Sequence, residues 1–310
     1  MIYFDYNTYL KSKYGEKIYK LPVSLPVTCP NRDGTKGYGG CTFCAEKGAG
    51  FEVKDAQIPV KIQLAENKKY MGKRYHAEKF IAYLQNYTST YMPVEKFYET
   101  LKDCTGKDIV AISVSTRPDC TDDEYLKAAE NISGKTGTDI IFELGLQSVN
   151  ENTLRRINRG HTLKDYIDAV VRIKKHGFSV CTHLIPNLPY DTPEDVAAAA
   201  KLVSDLKTDT VKLHNLFLID KTPMAEDYKM HKFEICSYTE YFSLIGLFLN
   251  NLSPKKAVER FFARCREEGC VFSNWGRSWR WLQNELMTYL FQNGISQGSL
   301  YIDEGEDSVS

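Results

Sequence analysis

Apolar positions along this chain alternate between two rhythms: short continuous runs, and longer stretches with helical three-four spacing. A polar and aromatic helix over Tyr6–Lys13 leads into Leu21–Thr28, a strand-like run interrupted by Pro22 and Pro26. Lys79–Leu84, Asp108–Val114, Asp139–Leu146, Phe178–Ile185 and Asp209–Leu218 are further runs of the length and apolarity of buried strands. Helical spacing fills the gaps at 56–70, 93–102, 121–131, 150–157, 163–175 and 192–206, and again at 234–251. Start signals agree with the periodicity. Thr121-Asp-Asp-Glu124 has the form of a capping box, and Thr192-Pro-Glu-Asp195 sets a cap before a first-turn proline. Six strands alternating with helices predict an α/β fold, a partial (β/α)6 TIM-type barrel with parallel strands and right-handed crossovers. The barrel is expected over residues 1–251, with 252–310 as a C-terminal extension packed on it.

Composition narrows the picture. Lys plus Arg equals Asp plus Glu at 40 each, so no global field selects a polyanionic partner. Local asymmetry exists: residues 1–80 hold fourteen basic against eight acidic residues, and 251–280 hold seven against three. The middle of the chain and an acidic tail (Asp303, Glu304, Glu306, Asp307) compensate. The N-terminus has neither a basic nor an apolar targeting region, which predicts a cytoplasmic protein whose nine cysteines are reduced. The longest apolar run, Phe242–Leu249, is too short to span a bilayer, so no membrane partner is expected.

The chemistry concentrates in one loop. Cys29, Cys41 and Cys44 form a C-x11-C-x2-C pattern, with no further Cys before Cys104 and no His before His76. On the last two cysteines alone a zinc knuckle or a redox dithiol is an equal alternative. Three thiols without a fourth ligand suit a 4Fe-4S cluster with one iron open, whereas structural zinc closes its shell with four. The loop directly follows a strand, at the end of a parallel barrel where sites are built. The same end collects polar groups from other strands: Ser113, Ser115 and Arg117, then Glu143 and Gln147, then His183, with Arg159-Gly-His-Thr162 shortly after the fourth strand. Charges at such depth are costly unless they bind something, so together they outline a pocket. In the extension, Arg260, Arg264, Arg266, Arg277 and Arg280 interleave with Trp275, Trp279 and Trp281. That pattern fits either base stacking or a helix whose tryptophans pack on the barrel. Cys104, Cys181 and Cys236 read as buried inert thiols, and so does the C-x4-C pair Cys265 and Cys270, whose alternative is a second metal.

Six segments taken together, Cys29-Pro-Asn-Arg-Asp-Gly34, Gly39-Gly-Cys-Thr-Phe-Cys44, Thr116-Arg-Pro-Asp-Cys120, Glu143-Leu-Gly-Leu-Gln-Ser148, Asn158-Arg-Gly-His-Thr162 and His183-Leu-Ile-Pro186, resemble the YtqA/YhcC-type radical S-adenosylmethionine (SAM) proteins. These are relatives of the catalytic subunit of Elongator that lack its acetyltransferase domain. The resemblance covers roughly residues 5–280. It implies a 4Fe-4S cluster on Cys29, Cys41 and Cys44, and SAM contacted by Phe43, Glu143, Gln147 and Arg159. Gln85 stands where other members carry Gly-Gly-Glu. The implied activity is reductive cleavage of SAM to a 5'-deoxyadenosyl radical, with His183, Arg117 and Cys120 as candidate catalytic residues. The implied substrate is tRNA, at the C5 side chain of the wobble uridine, converted from carboxymethylaminomethyl to aminomethyl. A small molecule, as for porphyrinogen oxidases, is the alternative, and a non-enzymatic zinc protein a more distant one. Expected partners are an electron donor such as flavodoxin or ferredoxin and a SAM-dependent tRNA methyltransferase acting next. Lys13, Lys17, Lys20, Arg32, Lys36, Arg277 and Arg280 are candidates for a basic rim that holds RNA phosphates.

Overall fold

A computed structural model describes residues 2–45, 54–263 and 269–303. Helix α1 (Tyr6–Tyr14) precedes β1 (Tyr19–Val23), α2 (Val60–Tyr75) precedes β2 (Phe80–Leu84), and α3 (Val94–Asp103) precedes β3 (Ile109–Thr116). Then come α4 (Asp123–Thr136) and β4 (Asp139–Gln147), α5 (Glu151–Arg156), α6 (Leu163–Lys175) and β5 (Ser179–Leu184), α7 (Pro193–Asp205) and β6 (Thr210–Leu213). Short β7 (Leu218–Ile219), α8 (Pro223–Lys229), α9 (Tyr238–Asn251), β8 (Ala257–Val258), β9 (Cys270–Phe272) and α10 (Trp279–Gln292) follow. Strands β1 to β6 pair in chain order, all parallel, and β8 adds a seventh strand beside β6. The expected partial TIM-type barrel is therefore present, with one strand more than the periodicity predicts.

The seventh strand comes from the segment expected only to pack on the barrel. Ala257 and Val258 are fully buried there, and Val258 N donates to Phe4 O at 2.9 Å, which straps the N-terminal segment across the same edge. Strand β6 is shorter than the expected 209–218: the chain leaves the sheet after Leu213, and Leu218–Ile219 pair antiparallel with β9 instead. Two helix starts also differ. Thr121 does not cap α4, because its hydroxyl donates to Pro118 O at 2.9 Å and Asp122 takes the N-cap position. Helix α9 begins at Tyr238 rather than Glu234 because Ser237 and Glu240 form a capping box. The box at Thr192 and Asp195 forms as the sequence predicts.

Strand residues two apart point to the same side, and this sorts the barrel interior into layers. Ile81, Ala111, Ile141 and Cys181 form an apolar floor, closed from below by Leu10 and the tyrosines of α1. One step up, Lys20, Tyr83, Ser113, Glu143 and Lys212 form a polar layer. The next positions, at and beyond the C-terminal ends of the strands, line a cavity of about 260 Å³. The outward faces (Leu84, Val114, Phe142, Leu144, Val211) join Phe97, Leu126, Tyr166 and Val203 of the surrounding helices in the main core. Trp275, Trp279 and Trp281 pack against that core, and Trp275 Nε1 donates to Cys236 O at 2.7 Å, so the tryptophans serve packing. Cys104 and Cys181 are buried as expected, and Cys236 is half-buried. Arg264, Cys265, Arg266 and most of the acidic tail lie outside the described residues.

Candidate active site

The cysteine loop is a sequence of tight turns locked to the α5–α6 connection. Arg32 N donates to Cys29 O at 2.8 Å, Gly40 N to Asn31 O at 2.8 Å, Cys44 N to Cys41 O at 3.0 Å and Thr42 N to Ile157 O at 2.9 Å. The guanidinium of Arg32 closes the loop on Cys44 O (3.1 Å) and Ala45 O (2.6 Å). Two asparagines clamp the loop from opposite sides. Asn31 Nδ2 donates to Asn158 O at 2.6 Å, and Asn158 Nδ2 donates to Gly40 O at 2.8 Å. Gly160 has φ +70°, and a Cβ there would sit 2.4 Å from Asn31 Oδ1, so the clamp requires glycine at this position.

This loop brings Cys29, Cys41 and Cys44 to one wall of the 260 Å³ cavity. The sulfur of Cys41 faces Arg159 Nη1 at 3.6 Å and Asn31 Nδ2 at 3.9 Å. A hydrogen bond from Cys44, followed by the positive charges of Arg159 and Arg117, pulls the Cys41 thiol down to about 5 against the cost of burial. Cys44 is pushed up, because it holds the proton the two sulfurs share. Three sulfur donors on one wall, one already poised as thiolate and facing guanidinium and amide N–H groups, fit a 4Fe-4S cluster with a coordination position open to the cavity.

The strand ends supply the other walls. Gln85, Arg117 and Ile185 follow directly on β2, β3 and β5, Gln147 is the last residue of β4, and all four line the cavity. Gln147 is held at φ +76° where the β4–β5 register slips, a local strain that re-aims a side chain at the site. Arg159 lies over the same strand, donating from Nη2 to Gly145 O at 2.7 Å, and a Cβ at Gly145 would come within 2.6 Å of that nitrogen. Phe43 lines the cavity and packs against Ile185, Leu188 and Leu216 at its outer side. Beside Gln85, Asn86 exchanges two hydrogen bonds with the backbone of Leu25 (2.8 and 2.6 Å) and fixes the chain just after β2.

The candidate catalytic residues separate. Arg117 is 2% exposed and engaged throughout: both carboxylate oxygens of Asp119 at 2.9 Å, Arg159 O at 2.8 Å and Gly160 O at 3.0 Å. It braces the 159–160 turn with four of its five N–H donors committed. Cys120 is not part of the cavity wall, and burial pushes its thiol up to about 12. His183 does line the cavity.

Beneath the cavity lies a charged layer that the sequence did not disclose. Glu143 is 1% exposed and accepts from Lys20 (2.7 Å), Lys212 (2.5 Å), His183 Nε2 (2.6 Å) and Ser113 (2.5 Å). Lys20 and Lys212 also reach Glu259 at 2.8 and 3.2 Å. Burial opposes its charge, but the two ammonium groups hold the Glu143 carboxyl well below the usual range. Both its oxygens are occupied by these partners, and Glu143, expected as a SAM contact, lines the cavity and anchors its wall. Glu143, Cys181 and His183 place ligand atoms within 4.8 Å of one another, but two lysine ammonium groups on that carboxylate exclude a cation.

A hydrogen-bonded chain climbs from this layer into the cavity. Arg260 Nη2 lies 2.8 Å from His214 Nδ1, His214 Nε2 lies 3.3 Å from His183 Nδ1, and His183 Nε2 meets Glu143. Carboxylate only accepts, so His183 Nε2 carries a proton for Glu143, and arginine only donates, so the nearer His214 nitrogen, Nδ1, accepts from Arg260, whose Nη2 also lies 3.3 Å from His214 Nε2. Burial, reinforced for His183 by Lys212 and for His214 by Arg260, holds His183 at about 4 and His214 well below its usual value.

The basic rim is smaller than expected. Lys13 pairs with Asp139 at 2.9 Å and Lys17 sits over Tyr19, both at the N-terminal end of the strands, opposite the cysteines. This follows from their place ahead of β1 in a parallel sheet. Lys20 is inside the barrel, Arg32 braces the loop, and Lys36 pairs with Asp119 at 2.9 Å. Arg277 and Arg280 are exposed, stacked 5.1 Å from Trp281 and Trp279 respectively. Nearby Asn274 accepts from Asn215, a cavity residue, at 2.8 Å. Lys212, His214 and Glu259 were missed; the alternation Thr210, Lys212, His214 in an apolar strand is the signal that could have found two of them.

A half-barrel of parallel strands with three cysteines at its C-terminal rim is the architecture of radical SAM enzymes, and this chain belongs to the Radical SAM superfamily, whose pattern matches residues 26–203. The Radical_SAM C-terminal domain matches residues 208–290. The chain is 35% identical over 259 residues to protein YtqA of Bacillus subtilis, covering 83% of this chain and 80% of that one. It is 30% identical over 150 residues to the tRNA uridine(34) acetyltransferase of Methanocaldococcus infernus, covering 47% of this chain and 27% of the relative. The fold matches archaeal Methanocaldococcus infernus Elp3 with a TM-score of 0.66 at 19% identity, over 90% of this chain and 64% of that chain. The chain thus spans under two thirds of that protein. As a member of the superfamily it is an enzyme that uses a 4Fe-4S cluster and SAM. No helix among the described residues is long and apolar enough to cross a membrane.

Proposed function

We propose that Cys29, Cys41 and Cys44 hold the cluster, that SAM occupies the cavity beside Phe43, Gln85, Gln147 and Arg159, and that the substrate is the wobble uridine of tRNA, modified on its C5 side chain. The observation that carries the reading is the convergence of three thiols with the strand-end residues on one cavity of about 260 Å³. When bound, the cluster and SAM together supply a strongly oxidising carbon radical that removes hydrogen from the substrate. The chain's own residues orient and shield. Phe43 offers an apolar face to a purine, Arg159 sets positive charge at the cysteine wall, and the buried layer around Glu143 fixes His183 as a neutral donor and acceptor.

Support for RNA comes from the relative named as a tRNA uridine(34) acetyltransferase and from the exposed Arg277 and Arg280, each stacked on a tryptophan. A base splayed from an anticodon loop can enter the cavity while its phosphates remain at the mouth. Nucleoside mass spectrometry of tRNA from a strain lacking the gene tests the reading. Loss of the aminomethyl-derived wobble uridine with accumulation of its carboxymethylaminomethyl precursor is expected, and an unchanged wobble profile overturns the assignment.

A further inference from the structure

We propose that Arg260, positioned by His214, forms a subsite for a carboxylate carried by the substrate. The inference deepens the RNA reading and rests on it. Arg260 lines the cavity, and its Nε is buried without any hydrogen-bond partner. Among the described residues no carboxylate lies within ion-pair distance of it. A buried N–H left unpaired is unfavourable, a cost that an anionic oxygen bound at this nitrogen removes.

The other cations at the cavity are committed: the Arg32 guanidinium closes on Cys44 O and Ala45 O. Lys20 and Lys212 are balanced by Glu143 and Glu259 in the buried layer, and Arg117 is balanced by Asp119. Arg159 faces the sulfur of Cys41. Among the described residues the Arg260 guanidinium hydrogen-bonds only to His214, which burial keeps neutral and which accepts at 2.8 Å. The chain through His183 to Glu143 therefore holds the guanidinium in place without neutralising it. Nε–H is unused and His214 takes one of the two Nη2 hydrogens, so the Nε/Nη2 edge, the same edge by which Arg117 holds Asp119, keeps donors for a carboxylate.

Three anions compete for this position: a carboxylate on the base side chain, the methionine carboxylate of SAM, and a backbone phosphate. The first fits best. Arg260 is bonded to half-buried His214 in the cavity lining and its Nε is buried, so the group it holds must enter the cavity, while the guanidinium beside the Cys41 sulfur is that of Arg159.

Fluorescence anisotropy on the full-length, cluster-reconstituted protein with saturating SAM separates these sources. The probes are anticodon stem-loop RNAs whose wobble uridine carries a carboxymethylaminomethyl group, its methyl ester, or an aminomethyl group. Wild type is expected to bind the acid about tenfold more tightly than the ester, and Arg260→Gln to bring that ratio close to one, with Arg260→Lys retaining part of it. Equal binding of acid and ester by the wild type overturns the subsite while the RNA reading stands. A preference that survives Arg260→Gln overturns it as well. Uniform weakening of all three RNAs assigns Arg260 to a phosphate, and weakened SAM binding with the ratio intact assigns it to methionine, and either result overturns the proposal. Failure of every RNA to bind sinks the RNA reading and the subsite with it.

Discussion

Lys20 reaches Glu143 across the barrel interior, Nζ to Oε1 at 2.7 Å, although β2 and β3 separate their strands in the sheet. The contact closes a partial barrel through its middle, where a complete barrel would be closed by its strands. Removing the carboxylate leaves two buried ammonium groups with Glu259 alone. Glu143→Gln is expected to lower stability by about 3–5 kcal/mol, the usual cost of breaking a buried ion pair, read as a shift of the urea midpoint of the cluster-free protein. Lys20→Met in the same background should recover part of the loss, because it removes one stranded charge. A Glu143→Gln protein that unfolds at the wild-type urea concentration would refute the bracing role.

The cysteines divide by position. Serine at Cys29, Cys41 or Cys44 is expected to abolish iron incorporation and visible absorbance after anaerobic reconstitution. Cys120→Ser should keep both, since that thiol lies outside the cavity wall. Iron content and the absorbance spectrum check each variant, and iron retained at wild-type level in Cys41→Ser would remove it from the ligand set.

The C-x11-C-x2-C spacing and the alternating strands and helices were legible because each follows from local pattern: ligand spacing, apolar runs, caps. The polar groups at the strand ends were legible as a cavity for the same reason, since period two along each strand puts Ser113, Ser115 and Arg117, Glu143 and Gln147, and His183 on the inward side. The roles of those groups were not. Whether Glu143 touches a cofactor or a lysine depends on Lys20, Lys212 and Glu259, which come from three distant segments and meet only in the closed barrel. Lys13 and Lys17 were misplaced because basic composition carries no direction, whereas their position before β1 does. The two-residue strand β8 lies below the length at which periodicity exists.

Gly160 offers a test of how tightly the cysteine loop is seated. Alanine there must adopt φ +70° and press its Cβ to 2.4 Å from Asn31 Oδ1. The backbone strain alone is of order 1–3 kcal/mol, and relief requires Asn31 to leave Asn158. Gly160→Ala is therefore expected to bind iron but to lose it to a chelator several-fold faster than wild type, and Asn31→Ala to restore the fold of Gly160→Ala without restoring cluster retention. Chelator-release rates identical to wild type would show that the clamp does not govern the loop.

Asp119 predicts a pH dependence with a defined sign. Burial pushes its carboxyl up, but the two bonds from Arg117, with Lys36 beside them, prevail and hold it at about 2. In the unfolded chain an aspartate titrates near ~3.9. At neutral pH both states are ionised, and the ion pair contributes its full stabilisation, about 2.6 kcal/mol. As pH falls below about 4 the unfolded chain takes up a proton that the folded protein does not, so this contribution declines, and it is gone once pH passes below about 2. Asp119→Asn, which cannot titrate, should thus be less stable than wild type at pH 7, with the gap narrowing steadily as pH falls through about 4 towards 3. Urea midpoints of the two cluster-free proteins across that range measure the gap, and a gap independent of pH would mean that Arg117 is held by the carbonyls of Arg159 and Gly160 rather than by its aspartate.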